Sequence, residues 1–146
     1  METVFHDVPF DPGLKTMDKA KLYGQVHSEV MCSEDLLLAD FGSKALRKLG
    51  IARNQMIDTE KEQYPVTRQW AEAVHRECPD VQGICWTSRQ DDSARALIVF
   101  GDRVGRGVLK QAAISRNLVS DPKAYRELLI LAEKIGVDIV PKSTPD

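Results

Sequence analysis

The side chains best placed for chemistry lie in the run Val81-Gln82-Gly83-Ile84-Cys85-Trp86-Thr87-Ser88-Arg89-Gln90. It reads as a β-strand that carries a serine and an arginine to its end. A polar turn follows, and then a second buried strand, Ala96-Leu97-Ile98-Val99-Phe100. Polar groups presented at the end of a sheet strand are a common way to build a ligand site. Alternation along the strand sends Arg89 to the face opposite Ser88. Taken alone, Trp86-Thr87-Ser88-Arg89 reads as a strand edge with a packed tryptophan.

Other candidates carry less. Gly101-Asp102-Arg103-Val104-Gly105-Arg106-Gly107 follows a strand, but its spacing fits neither the dinucleotide fingerprint nor the P-loop, so it reads as a mobile turn. His6, His27 and His75 lie far apart with no ligand spacing, and no metal site is expected. No serine sits in a Gly-x-Ser-x-Gly elbow, which argues against a hydrolase triad. Cys32, Cys78 and Cys85 form neither a disulfide framework nor a zinc pattern and read as reduced thiols.

The elements that must position these groups follow from periodicity and punctuation. Met1–Val8 reads as the tail of a helix, on which Glu2 and His6 would share a face. Residues 9–20, with Pro9, Pro12 and Gly13, read as a loop. Gln25–Cys32 reads as a strand with Val26 and Val30 on one face, and Leu36–Ala39 as a short buried strand leading to Asp40. A helix is expected over Ser43–Leu49, stopped by Gly50. Ile51–Gln63 lacks periodicity and reads as an exposed loop. Pro65 opens a helix over 66–77 whose inward stripe is Val66, Trp70, Ala73 and Val74. Pro122 opens another, capped by Ser120 or Asp121, with Leu128, Leu131, Ala132 and Ile135 inward. Gly136 closes it before a last strand, Val137–Val140. Interspersed strands and helices give an α/β (α+β) class, one compact domain with a mixed central sheet flanked by helices.

Composition bounds the rest. The chain has 146 residues, 42% hydrophobic and 29% charged, in keeping with one globular domain. Its net charge of −2 and pI of about 5.9 give no basic surplus for direct nucleic-acid binding, although Arg103, Arg106, Lys110 and Arg116 fall close together in sequence. No apolar run approaches the roughly 20 residues that span a bilayer, and no secretory leader is evident.

An ordered set of segments resembles the RES domain family. The first is Met1-Glu2-Thr3-Val4-Phe5-His6-Asp7-Val8. The second is Leu36-Leu37-Leu38-Ala39-Asp40-Phe41 with the short helix ending at Leu49-Gly50-Ile51. The third is Tyr64-Pro65-Val66-Thr67-Arg68-Gln69-Trp70-Ala71-Glu72-Ala73. The last is Gly83-Ile84-x-Trp86-x-Ser88-Arg89 with Ile98-Val99-Phe100-Gly101-Asp102-Arg103-Val104. The resemblance implies a fold similar to ADP-ribosyltransferases. It implies a bacterial toxin–antitoxin setting in the cytoplasm, and loss of NAD+ by hydrolysis or phosphorolysis. NAD+ is then the substrate and no cofactor is needed. Glu2 and Ser88 become the catalytic pair, with Trp86, Ser88 and Arg89 contacting NAD+. The implied partner is an antitoxin with a DNA-binding domain that plugs the NAD+ pocket.

The family's arginine and tyrosine lie upstream of the glutamate. Residues 1–146 are therefore expected to be a RES-like domain lacking its N-terminal part, with weak or no activity. The alternative is a non-catalytic binding module that pairs with an antitoxin or forms a homo-oligomer.

Overall fold

A computed structural model describes residues 2–9, 12–59 and 63–141, with only the backbone for Glu2. After a 3-10 turn at Glu2–Phe5 come β1 (Lys15–Asp18), a second 3-10 turn at Lys19–Leu22, β2 (Val26–His27), β3 (Val30–Cys32) and β4 (Leu38–Asp40). Three helices follow, α1 (Ser43–Lys48), α2 (Arg53–Met56) and α3 (Tyr64–Glu77). Then come β5 (Gly83–Thr87), β6 (Arg95–Val99), β7 (Leu109–Gln111), β8 (Arg116–Asn117), α4 (Pro122–Lys134) and β9 (Val137–Val140). The class is mixed α+β, as expected. The strands form one mixed three-stranded sheet, β4-β5-β6, and three two-stranded pairs.

The chain divides into two compact units. The first comprises Met1–Met31 and Lys110–Asp146. In it β1 runs parallel to β9, from Lys15 opposite Val137 to Asp18 opposite Val140. β2 pairs antiparallel with β8, placing His27 opposite Arg116. Phe5, Met17, Leu22, Leu118, Leu128, Ala132 and Val137 form its core. Asp121 caps α4 by accepting from the Ala124 amide at 2.8 Å, and Leu128 and Ala132 face inward as their spacing requires.

The second unit is Cys32–Leu109. β5 lies between β4, parallel, and β6, antiparallel, with Ile84 opposite Ile98 and Trp86 opposite Ala96. Gly83 is required there, because a Cβ at that position would lie 2.2 Å from the Ile98 carbonyl oxygen. Phe41, Leu46, Met56, Ile57 and Ile84 make the core, with Ala71, Val74, Trp86 and Phe100 packed against it. Gly50 takes a φ of 71° just past α1, the stop its sequence predicts.

Several expectations change. The N-terminal segment is a 3-10 turn, so Glu2 and His6 do not share an α-helical face. Instead His6 Nδ1 lies 2.7 Å from the carbonyl of Thr3. The loop 9–20 contains β1, a strand whose alternation is too short to see and whose existence rests on its pairing with β9. Gln25–Cys32 is two strands, because each half pairs with a different partner, and Val26 and Val30 are exposed. Ile51–Gln63 contains α2, whose Met56 is buried. On α3 Val74 packs against the core as its spacing predicts, joined by Ala71, whereas Val66 is 53% exposed and Trp70 38%. The second strand of the β5–β6 pair is not buried: Ile98 is 46% exposed, as an edge strand allows.

Candidate functional site

β5 sorts its side chains by parity. Ile84 and Trp86 face a cavity of about 290 Å³ between the sheet and α3, lined also by Phe41, Met56, Tyr64, Thr67, Arg68, Ala71 and Ile98. Cys85 faces the other way, where it accepts from Arg95 Nη2 at 3.0 Å; Arg95 also lies 3.6 Å from Asp40. That thiol, followed by the Asp40 carboxylate, raises the pKa of the Arg95 guanidinium.

Ser88 follows the strand at the start of a tight polar turn. It is 3% exposed. Its hydroxyl oxygen accepts from the amides of Gln90 at 3.1 Å and Asp91 at 3.4 Å, and its own amide donates to the Ala94 carbonyl at 2.9 Å. Arg53 of α2 ties this turn to a neighbouring segment. Its Nη2 donates to the Ser88 carbonyl at 3.0 Å and to Asp92 at 3.3 Å, while its Nε reaches Asp58 at 3.0 Å. Arg89 Nη1 donates to the carbonyl of the buried Thr59. The serine, both arginines and the 57–59 segment therefore form one cross-linked polar cluster at the end of β5.

Sequence reasoning missed Arg53, because it placed 51–63 in a featureless loop. The available signal was Gln55, three residues after Ala52. Its side-chain oxygen accepts from the Ala52 amide at 2.9 Å, which marks a helix start.

The glycine-containing turn after β6 is a brace. Arg103 donates to the carbonyls of Cys78 and Val81 at 2.7 Å each, and to that of His75, so it satisfies carbonyls at the end of α3. His75 Nε2 sits 2.9 Å from Asp102, and this hydrogen bond pulls the Asp102 carboxyl below its ordinary range.

The first unit has a cavity of its own, about 520 Å³, lined by Thr3, Val4, His6, Gln25, Val26, His27, Ser28 and Leu118. Beside it Arg116 Nη2 lies 3.3 Å from His27 Nδ1 and 2.9 Å from Glu127. The hydrogen bond from Arg116 holds the Glu127 carboxyl below its usual range and raises the Arg116 pKa. Of the sequence-derived candidates, Trp86, Ser88 and Arg89 belong to the second unit. Glu2 belongs to the first, and its side chain lies outside the described residues. Among the described residues no group of three or more His, Cys, Asp or Glu could hold a metal ion. Among them, too, no helix is long and apolar enough to cross a membrane.

These features define a mixed α+β protein with a polar strand-end cluster in one unit and a polar cavity in the other. The model of the RES domain matches residues 1–121, and the chain belongs to that family. No curated protein and no solved structure matches it. At the level of the family the function is related to toxin–antitoxin systems and to NAD. The matched span includes all of the second unit and stops before α4.

Proposed function

We propose that this chain cleaves the nicotinamide–ribose bond of NAD+, as a RES-type toxin-like enzyme. The observation that carries the reading is the family match over residues 1–121, a span that holds both Glu2 and Ser88. It also runs through both compact units, which we take as parts of one RES-like domain spanning 1–146.

In the proposed step the C1′–N bond breaks and its electron pair leaves with nicotinamide. Positive charge develops on the ribose, and a carboxylate beside it lowers the barrier. That is the role of Glu2. The oxygen of water or phosphate then bonds to C1′; with water, a proton is released and ADP-ribose forms. Ser88 hydrogen-bonds the nicotinamide amide or a phosphate oxygen, and Trp86 and Arg89 take part in binding NAD+. The proposed setting is the cytoplasm, with an antitoxin bearing a DNA-binding domain as partner.

A second reading is a non-catalytic module that pairs with an antitoxin or self-associates. It is favoured by the burial of Ser88 and by the use of its hydroxyl within its own turn.

The deciding experiment follows NAD+ loss with the purified chain, with and without phosphate, with Glu2→Gln as control. NAD+ loss that disappears in Glu2→Gln supports the enzyme. No loss from a folded sample, or loss unchanged in Glu2→Gln, overturns it.

A further inference from the structure

The three-stranded sheet of the second unit ends at β6, and the hydrogen-bond pattern fixes which backbone groups that strand has to spare. The Ser88 amide donates to the Ala94 carbonyl at 2.9 Å, and the Phe100 amide to the Gln82 carbonyl at 2.8 Å. Bonded positions alternate along an antiparallel pair. Ala96 and Ile98 therefore aim their N–H and C=O groups at β5, opposite Trp86 and Ile84. Arg95, Leu97 and Val99 aim theirs at the open edge. Among the described residues these edge groups have no hydrogen-bond partner.

An open edge is a template for another strand, and folded proteins blunt it with charge, proline, a bulge or a cover. No charge and no proline lies within Ala96-Leu97-Ile98-Val99. The pairing of β6 with β5 runs without a bulge, and Leu97 is 55% exposed. The charge at the start of the strand is turned away from the edge. The Arg95 guanidinium reaches over β5 to Cys85 Sγ at 3.0 Å and to Asp40 of β4 at 3.6 Å. The strand also complements itself. Two copies can meet antiparallel about a two-fold axis at Arg95, Leu97 or Val99, the positions whose backbone faces outward. An axis at Arg95 sets two guanidinium groups side by side, and one at Val99 brings Arg95 opposite Arg103 of the other copy. An axis at Leu97 places leucine on leucine, Arg95 opposite Val99 and Ala96 opposite Ile98, with no like charges facing.

We propose that two copies of this chain pair antiparallel through β6, with the two-fold axis at Leu97. The Leu97 N–H of each copy donates to the Leu97 carbonyl of the other, and Arg95 and Val99 exchange the remaining bonds. The β4-β5-β6 sheets of the two copies become halves of one continuous sheet, and the Leu97 side chains leave water together. A five-residue strand makes a small interface, so association in the micromolar range is expected. The pairing stands whether or not the chain cleaves NAD+.

Sedimentation velocity of the full chain from about 1 to about 200 µM tests it. The mass should rise from 16.4 kDa towards twice that value with concentration. Leu97→Lys and Leu97→Glu should each stay at the monomer mass, because like charges would meet at the axis. An equimolar mixture of the two should associate again, since lysine then faces glutamate. A wild type that stays monomeric throughout overturns the proposal and leaves the edge to a strand of a different protein. Association that survives either substitution, or that the mixture fails to restore, overturns it too. Should the variants not fold, amide exchange of wild type read by NMR decides. The Arg95, Leu97 and Val99 amides should exchange more slowly in concentrated than in dilute samples, and rates independent of concentration overturn the pairing. NAD+ loss is read in a separate assay, so its absence sinks the catalytic reading and leaves this one standing.

Discussion

Ser88 and Glu2 illustrate two kinds of residue-level legibility. The position of Ser88 at the end of a strand was readable from the apolar run Ile84-Cys85-Trp86 before it and the polar run after it. What its oxygen does was not readable. It accepts two amides of its own turn, a contact between neighbours that carries no periodic signal. Ser88→Ala therefore removes an acceptor shared by two half-buried amides and should cost about 1 kcal/mol of stability. Urea unfolding of the two proteins measures this. An unchanged midpoint would mean that the hydroxyl is dispensable to the turn and is available to a ligand. If Ser88→Ala also abolishes NAD+ loss, the stability measurement separates a catalytic effect from a collapsed turn, because a shift of this size leaves a domain of ordinary stability folded. Glu2 lies three residues before Phe5, which is fully buried in the core of the first unit, so the turn that carries the carboxylate is anchored at its far end.

At the scale of elements, the parts that could be read were those whose signals are local. Gly50, Pro65, Asp121 and Gly136 punctuate helices by their own backbone chemistry, and α1, α3 and α4 lie where they point. β1 and the division of β2 from β3 could not be read, because both depend on partners distant in sequence: Lys15 pairs with Val137, and Val26 with Asn117. The inward stripe of α3 was offset because Trp70 is large and apolar yet half-exposed, while Ala71 packs beside the expected Val74.

Another such long-range contact makes a pH prediction. Arg116 of β8 holds Glu127 of α4 below its ordinary pKa. A carboxylate whose folded pKa is lowered adds stability that is fully present above its unfolded pKa, about 4.3, and that fades as the pH falls through the folded value. Wild type should therefore be more stable than Glu127→Gln at neutral pH. The two should converge below the ordinary carboxylate range. Thermal melts from pH 7 down to about 2 read this directly, and a constant gap across that range would show that the charge of Glu127 is irrelevant.

On the scale of the whole chain, the family match and the physical core do not end at the same place. The match stops at residue 121, yet α4 and β9 lie beyond it and supply Ala124, Leu128, Ala132 and Val137 to the core of the first unit. β9 is also the strand that β1 pairs with. Removing 122–146 would strip that unit of Leu128, whose truncation to alanine alone costs about 2–5 kcal/mol, and of three smaller buried side chains, and would leave β1 with an open edge. The core of the second unit, Phe41, Leu46, Met56, Ile57 and Ile84, receives nothing from the deleted segment. A chain ending at residue 121 should accordingly lose amide protection throughout the first unit, including Phe5 and Met17, while β5 and α1 keep theirs. Hydrogen exchange read by mass spectrometry resolves the two units by their peptides. Protection retained at Phe5 and Met17 in the shortened chain would mean that the matched span folds alone and that α4 and β9 are an addition to a self-sufficient domain.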